Sequence, residues 1–171
     1  MLKPPVSAVD HQIGPSSATI VLLEYGDYAC PYCIEAYPVI EKIKATMGDR
    51  MLFVFRYFPL EAVHPNANKA ALAAEAASKQ GEFWKMHNLL YSNQNQLEWN
   101  DIIGMAKNIG LDLQKFEMDF KSQNLQDKID DDLESGLRSG VNGTPSFFVN
   151  GEKYNGDWAY EEFLAFLKNK I

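Results

Sequence analysis

The most informative stretch of the sequence is residues 19–33, TIVLLEYGDYACPYC. Its first half is apolar and rich in β-branched residues, which predicts a short strand buried on both faces. Cys30 and Cys33 follow a short turn, and apolar residues then recur at helical spacing over 36–47. Gly48 comes next and suits a helix C-cap. The stretch therefore predicts a strand, a Cys-x-x-Cys turn and a helix, in that order.

Further strand and helix signals lie downstream of this unit. They predict a strand over 51–58, a hairpin over 146–154 with its turn at Asn150-Gly151, and a final amphipathic helix over 158–167. The Asn-Gly pair is the strongest short-range signal for a hairpin turn. The chain therefore begins and ends in a mixed pattern of strands and helices.

The middle of the chain, residues 60–139, carries almost no strand signal and reads as an all-helical block. Residues 66–78 are rich in alanine, the best helix former. The acidic run 130–132 is predicted to lie on a solvated helix face. We therefore expect an α/β fold with an all-helical stretch over residues 60–139.

Composition and charge exclude several function classes. The chain of 171 residues has 16 Lys and Arg against 23 Asp and Glu, a net charge of −7 at pH 7. A nucleic-acid surface needs the opposite sign, so no nucleic-acid partner is expected. No apolar run is long enough to span a bilayer, so membrane insertion is not expected. The sequence carries no signal for an oligomeric state.

The N-terminal residues, Met1 to Pro5, lack the apolar run and cleavage site of a signal peptide. This favours a cytoplasmic protein. The alternative is a periplasmic or other extracytoplasmic protein from which a signal peptide has been removed.

The Cys-x-x-Cys turn predicts disulfide chemistry. A thiolate is the attacking species in disulfide exchange, and the first turn of a helix lowers a thiol's pKa through its free N–H groups and dipole. Pro31 suits the first helical position. We therefore expect Cys30 at the exposed helix tip as the attacking thiol, with Cys33 partly covered as the resolving thiol.

A zinc site is the main alternative for a cysteine pair. Zinc needs two further ligands, and the chain has neither a second cysteine pair nor two histidines at ligand spacing. His11, His64 and His87 are scattered and are expected at the surface or in helix packing. The sequence therefore predicts redox chemistry without a metal or a bound cofactor.

The motif Cys30-Pro31-Tyr32-Cys33, together with Thr144-Pro145 ahead of a predicted strand, resembles the thioredoxin superfamily and within it the DsbA-like family. The resemblance covers residues 20–167. It implies an α/β fold of the thioredoxin type in which residues 1–59 and 140–171 form one domain and residues 60–139 are an all-helical insertion. It also implies a cis-proline at Pro145, and that the Thr144 backbone pairs with a substrate segment.

The same resemblance gives Glu24 a role. It matches a buried acidic residue that assists proton transfer around the second cysteine. An acid within an apolar strand is costly without such a role. The alternative is that Glu24 points outwards from the strand end.

The resemblance implies dithiol–disulfide exchange with protein substrates, and a redox partner that recycles the enzyme. Tyr32 departs from the DsbA pattern, which has histidine there, and the Pro-Tyr pair is the one found in glutaredoxins. A glutathione-linked reductase or isomerase of the same fold therefore stays open. So does a non-catalytic binding module.

Overall fold

The computed structural model describes residues 1–171 and contains five strands and seven α-helices. In chain order these are β1 (His11–Ile13), β2 (Ile20–Gly26), α1 (Pro31–Met47), β3 (Met51–Tyr57), α2 (Ala67–Ser78), α3 (Phe83–Ser92), α4 (Trp99–Asn108), α5 (Leu113–Phe120), α6 (Gln123–Arg138), β4 (Ser146–Val149), β5 (Glu152–Tyr154) and α7 (Tyr160–Lys168). None of the helices combines the length and the apolarity that a membrane span requires.

The strands form one mixed sheet in the order β1-β3-β2-β4-β5. β2 lies at its centre, parallel to β3 and antiparallel to β4. Because a central strand has neighbours on both sides and layers on both faces, β2 needs the apolar run that the sequence shows. Six of its seven residues are buried. The predicted α/β class and the predicted strand–helix–strand unit are confirmed.

Two features of the sheet and its last helix were not predicted from the sequence. β1 has only three residues and pairs with β3 through His11 opposite Phe55, a contact with a partner distant in the chain. α7 begins at Tyr160 instead of at residue 158.

Helices α2 to α6 all fall between β3 and β4. The division into a domain of residues 1–59 and 140–171 and an insertion of 60–139 stays a prediction.

The core has one hydrophobic cluster on each face of the sheet. Successive residues of a strand point to opposite faces, so Leu22 belongs to the larger cluster, which also includes residues of α1, the helical block and α7. Leu23 belongs to the smaller cluster, which the N-terminal segment covers through Leu2. The sheet is therefore enclosed on both sides.

The acidic run on α6 is not wholly solvated, so that expectation was wrong for Asp132. Its neighbours are exposed, but Asp132 itself is buried and accepts a hydrogen bond from the backbone N–H of Tyr57 at 3.1 Å. It also accepts one from Lys128, one turn earlier. The physical reason is that α6 packs against the end of β3, where a strand N–H needs an acceptor.

Gly136 marks the close approach of α6 to the sheet. A Cβ at this position would lie 2.6 Å from Phe58 Cδ2 and 3.1 Å from Tyr25 Cε1, and both rings are buried. Gly104 on α4 has no neighbouring heavy atom within 4 Å of such a Cβ. Alanine substitutions at these two glycines therefore compare a closely packed helix position with an open one.

We expect Gly136→Ala to lower the free energy of unfolding by about 1–2 kcal/mol, because overpacking outweighs the gain in helix propensity. Gly104→Ala should raise it by about 0.5–1 kcal/mol. Urea denaturation of both variants tests this. Equal stabilisation by the two substitutions would show that α6 does not pack closely on the sheet.

Candidate active site

Cys30 and Cys33 lie where the central strand passes into the first helix. Cys30 is the N-cap residue of α1, and Pro31 holds the first helical position. The backbone N–H of Cys30 donates to the carbonyl of Asp27 at 3.1 Å, and its carbonyl accepts from the N–H of Ile34 at 3.2 Å. The predicted placement of the motif at a helix N-terminus is confirmed.

The expected exposure of Cys30 at the helix tip is wrong. Cys30 is 3% exposed, and the exposed residue of the motif is Tyr32, at 63%. The cause is strand pairing: Tyr25 lies opposite Ser146, and this brings Thr144 beside the cysteine turn. The Cys30 thiol lies 3.5 Å from the Thr144 carbonyl, to which it donates. Cys33 is completely buried.

The Thr144–Pro145 peptide bond is cis, as the resemblance implies. The Thr144 hydroxyl is the single buried side-chain polar atom without a hydrogen-bond partner. A buried polar group without a partner is rare and calls for an explanation. Since it lies beside Cys30, the hydroxyl is available to a thiolate or to an incoming ligand.

The surroundings of Cys30 favour its thiolate. Hydrogen bonding from the Cys33 thiol is the largest cause that lowers the pKa of Cys30, which falls to about 5. Burial opposes this, and the backbone N–H groups of Cys33 and Tyr32 assist it. Cys30 is therefore ionised at neutral pH.

Cys33 has the opposite electrostatics. Burial raises the pKa of its thiol well above the ordinary value, and the charges of Cys30 and Glu24 raise it further. Cys33 is therefore a protonated thiol at neutral pH. One turn of helix thus holds one thiolate and one thiol.

Glu24 lies in β2 and is 3% exposed, so its side chain does not point outwards. Burial raises the pKa of its carboxyl group to about 8, although a hydrogen bond from Tyr91 opposes the shift. At neutral pH this carboxyl group is mostly protonated. It can therefore exchange a proton in the range in which a thiol must lose one.

Asp27 organises the turn before Cys30, and sequence reasoning did not identify it. Its buried carboxylate accepts hydrogen bonds from the backbone N–H groups of Ala29 at 2.8 Å and Leu60 at 3.0 Å. It also lies 2.8 Å from Nδ1 of His64. These contacts tie the cysteine turn to the segment after β3. An acid that directly follows a buried strand was the only signal for it in the sequence.

The structure brings most of the predicted site residues together at this end of the sheet. Cys30 contacts both Cys33 and Thr144. The charge of Glu24 raises the pKa of Cys33, and the charge of Cys30 raises the pKa of Glu24. No group of three or more His, Cys, Asp or Glu side chains is placed to hold a metal ion. The roles of these residues stay predictions at this point.

Comparison with known proteins gives a family and several relatives. A family model described as thioredoxin matches residues 7–169. The Na(+)/H(+) antiporter NhaA 1 of Mycolicibacterium vanbaalenii is 41% identical over 160 residues, which are 92% of this chain and 26% of that protein. The NhaA 1 antiporter of Salinispora arenicola is 40% identical over 91% of this chain and 24% of its own length. The chain spans about a quarter of the length of these curated relatives.

Solved structures share the fold over nearly the whole chain. A thioredoxin-like oxidoreductase from Silicibacter pomeroyi has a TM-score of 0.83 at 23% identity, covering 96% of this chain and 95% of that one. The thiol-disulfide exchange protein alpha-DsbA2 from Wolbachia pipientis has a TM-score of 0.85 at 18% identity, covering 96% and 89%. Oxidised BdbD from Bacillus subtilis has a TM-score of 0.81 at 21% identity, covering 94% and 92%. The thioredoxin fold with its helical segment is thereby confirmed.

The electrostatics of the two thiols predict a titration. In the reduced protein, the ultraviolet absorbance of the Cys30 thiolate should appear with a midpoint near pH 5. In Cys33→Ala the midpoint should rise, because the hydrogen bond that contributes most to the lowered pKa is lost. Cys30→Ser is the control and should show no thiolate near pH 5. A midpoint near that of an ordinary cysteine, about 8.5, would contradict this assignment.

Proposed function

This chain belongs to the thioredoxin family, and from that premise we propose that it is a thiol–disulfide oxidoreductase that exchanges disulfides with protein substrates. The observation that carries the proposal is a pair of free cysteines in the first turn of α1, close to the cis Thr144–Pro145 bond, whose pKa values are shifted in opposite directions. This difference in pKa suits disulfide exchange, because one cysteine attacks or leaves readily as a thiolate and the other stays protonated.

The exchange follows from the two thiols. In the oxidising direction, a substrate thiolate attacks the Cys30 sulfur of the Cys30–Cys33 disulfide, and Cys33 leaves and takes up a proton. A second substrate thiolate then attacks the substrate sulfur of the mixed disulfide and releases Cys30. A thiol of low pKa leaves faster, so the stabilised Cys30 thiolate favours this release. The substrate gains a disulfide and the enzyme ends reduced.

In the reducing direction, the Cys30 thiolate attacks a substrate disulfide and forms the mixed disulfide. Cys33 then loses its proton, attacks Cys30 and displaces the substrate thiolate. Cys30 and Cys33 are the catalytic residues in both directions. The reaction needs no metal or bound cofactor, but a redox partner must restore the enzyme after each cycle.

The supporting residues have distinct proposed roles. Pro31 begins the first turn of α1, and Tyr32 is the exposed side chain of the motif. Glu24 accepts the proton of Cys33. Thr144 and Pro145 form the surface on which a substrate segment lies, because Thr144 lies against Cys30 and its hydroxyl has no hydrogen-bond partner within the chain.

The antiporter relatives do not change this proposal. Each match covers about a quarter of the antiporter, whereas the thioredoxin family model covers nearly all of this chain. We therefore propose that the shared segment is a redox module in those proteins too. The rest of each antiporter has no counterpart in this chain, so ion exchange is not proposed for it.

We propose an extracytoplasmic site of action. A stabilised Cys30 thiolate makes the Cys30–Cys33 disulfide an oxidant, and protein disulfides persist in oxidising compartments. The cytoplasmic location expected from the N-terminus finds no support among the structural relatives.

Two cysteine variants test the proposal. Cys30→Ser should abolish reduction of insulin and reshuffling of a scrambled disulfide substrate, because no attacking thiol remains. Cys33→Ala should accumulate mixed disulfides with substrate, because nothing resolves them. Gel electrophoresis under non-reducing conditions measures the trapped species.

The controls separate the alternatives. Absence of any exchange by the wild-type protein would favour a non-catalytic binding module. Exchange that requires glutathione would favour the glutathione-linked enzyme. Trapping by the Cys30 variant instead of the Cys33 variant would reverse the roles of the two thiols.

A further inference from the structure

We propose that Tyr91 is a positioning residue that holds the Glu24 carboxyl group for proton transfer with Cys33, so that the helical segment completes the redox site. This inference rests on the proposed function. Tyr91 lies on α3, far from the cysteine motif in sequence. The substrate-facing residues of the site all come from other parts of the chain.

The hydroxyl group of Tyr91 donates a hydrogen bond to Glu24 Oε1 at 3.3 Å, with both side chains buried. This is the single side-chain hydrogen bond that the Glu24 carboxyl group makes. Because one oxygen is engaged by Tyr91, the carboxyl group is held in one orientation and its other oxygen remains for a proton.

Gly26 leaves the space in which these two groups meet. A Cβ at residue 26 would lie 2.6 Å from the Tyr91 hydroxyl oxygen and 2.9 Å from Glu24 Oε1. The same Cβ would lie 2.5 Å from Cε2 of Phe55, so a side chain at residue 26 would clash with the Phe55 ring as well as with these two groups. Glycine at the end of β2 therefore leaves room for the contact between Tyr91 and Glu24.

The Tyr91 ring is fixed by its neighbours. Its centroid lies 4.8 Å from that of Tyr28, 5.0 Å from that of His87 and 5.1 Å from that of Tyr37, which stacks on it. Burial and the nearby Glu24 charge raise the pKa of Tyr91 well above its ordinary value, so it stays a donor. The ring cannot turn away from Glu24 without disturbing this packing.

The hydrogen bond between Tyr91 and Glu24 acts in the resolving step. The Cys33 sulfur attacks Cys30 in the mixed disulfide, its proton passes to the Glu24 carboxylate, and the substrate thiolate leaves with the electron pair of the broken S–S bond. A hydrogen bond to the charged form stabilises the carboxylate that must accept this proton.

Several titratable or charged groups surround Glu24. Those that shift its pKa are Lys44, Glu41 and Cys30 on the side of α1, and Tyr91 on α3. The charge of Glu24 in turn raises the pKa of Cys33 and of Tyr28.

Tyr91→Phe tests the inference, and Tyr57→Phe is its matched control. Tyr57 is also a buried tyrosine of this aromatic cluster that donates to a buried glutamate, but its partner is Glu75, at 2.8 Å. Each substitution removes one hydroxyl group and keeps the ring. The two variants therefore differ in which carboxyl group loses its donor.

The reaction with Ellman's reagent separates the two thiol steps. Attack by Cys30 releases the first coloured thiolate, and resolution by Cys33 releases the second. In Tyr91→Phe the second phase should be about tenfold slower at neutral pH, the size expected for loss of a hydrogen bond to a charged group. Its pH midpoint should rise, because the lost donor held the pKa of Glu24 down. The first phase, and both phases in Tyr57→Phe, should be unchanged.

Glu24→Gln distinguishes positioning from a general loss of structure. In that background Tyr91→Phe should cause no further slowing, since there is no carboxylate to hold. An equal slowing with and without Glu24, or an unchanged second phase in Tyr91→Phe, would overturn the inference while leaving the proposed function intact. A wild-type protein that releases no thiolate at all would overturn the proposed function, and this inference with it.

Discussion

The pairing of β2 with β4 brings Tyr25 opposite Ser146 and thereby sets Thr144 beside the turn that carries Cys30. The chemistry of the site depends on this register. A slip by one residue would turn every side chain of β4 to the other face of the sheet and move the Thr144–Pro145 bond away from the thiol. Because the register holds, Cys30 is covered by backbone yet keeps its place at the N-terminus of α1. The donors to its thiolate are the Cys33 thiol and the backbone N–H groups in the first turn of that helix.

The second constraint is a carboxyl group buried in the central strand. An ionised carboxylate in such a place is costly, and the raised pKa of Glu24 shows that the fold meets the cost by keeping a proton on it. The hydroxyl group of Tyr91 reduces the cost of ionisation. The aromatic cluster around Tyr28 and His87 joins the helical segment to the sheet and thereby brings Tyr91 to Glu24. The same residues therefore serve the packing of the core and, as proposed, proton transfer.

The local part of this arrangement could be predicted from the sequence, and the long-range part could not. The strand–Cys-x-x-Cys–helix unit and the Asn150-Gly151 hairpin follow from patterns within a few residues. The cover over Cys30, the buried Asp132 and the contact between Tyr91 and Glu24 join residues far apart in the chain. Local periodicity and residue spacing do not indicate such long-range contacts, because these contacts form only when the strands and helices pack together.

We propose that the surroundings of Cys30 and Cys33 stabilise the dithiol form and make their disulfide an oxidant. The reduction potential of the pair, measured by equilibration with glutathione, tests this proposal. Because the pKa of Cys30 falls to about 5, the potential should lie above that of thioredoxin, about −270 mV, and below that of DsbA, about −120 mV. A potential at or below about −270 mV would show that the dithiol form is not stabilised in this way.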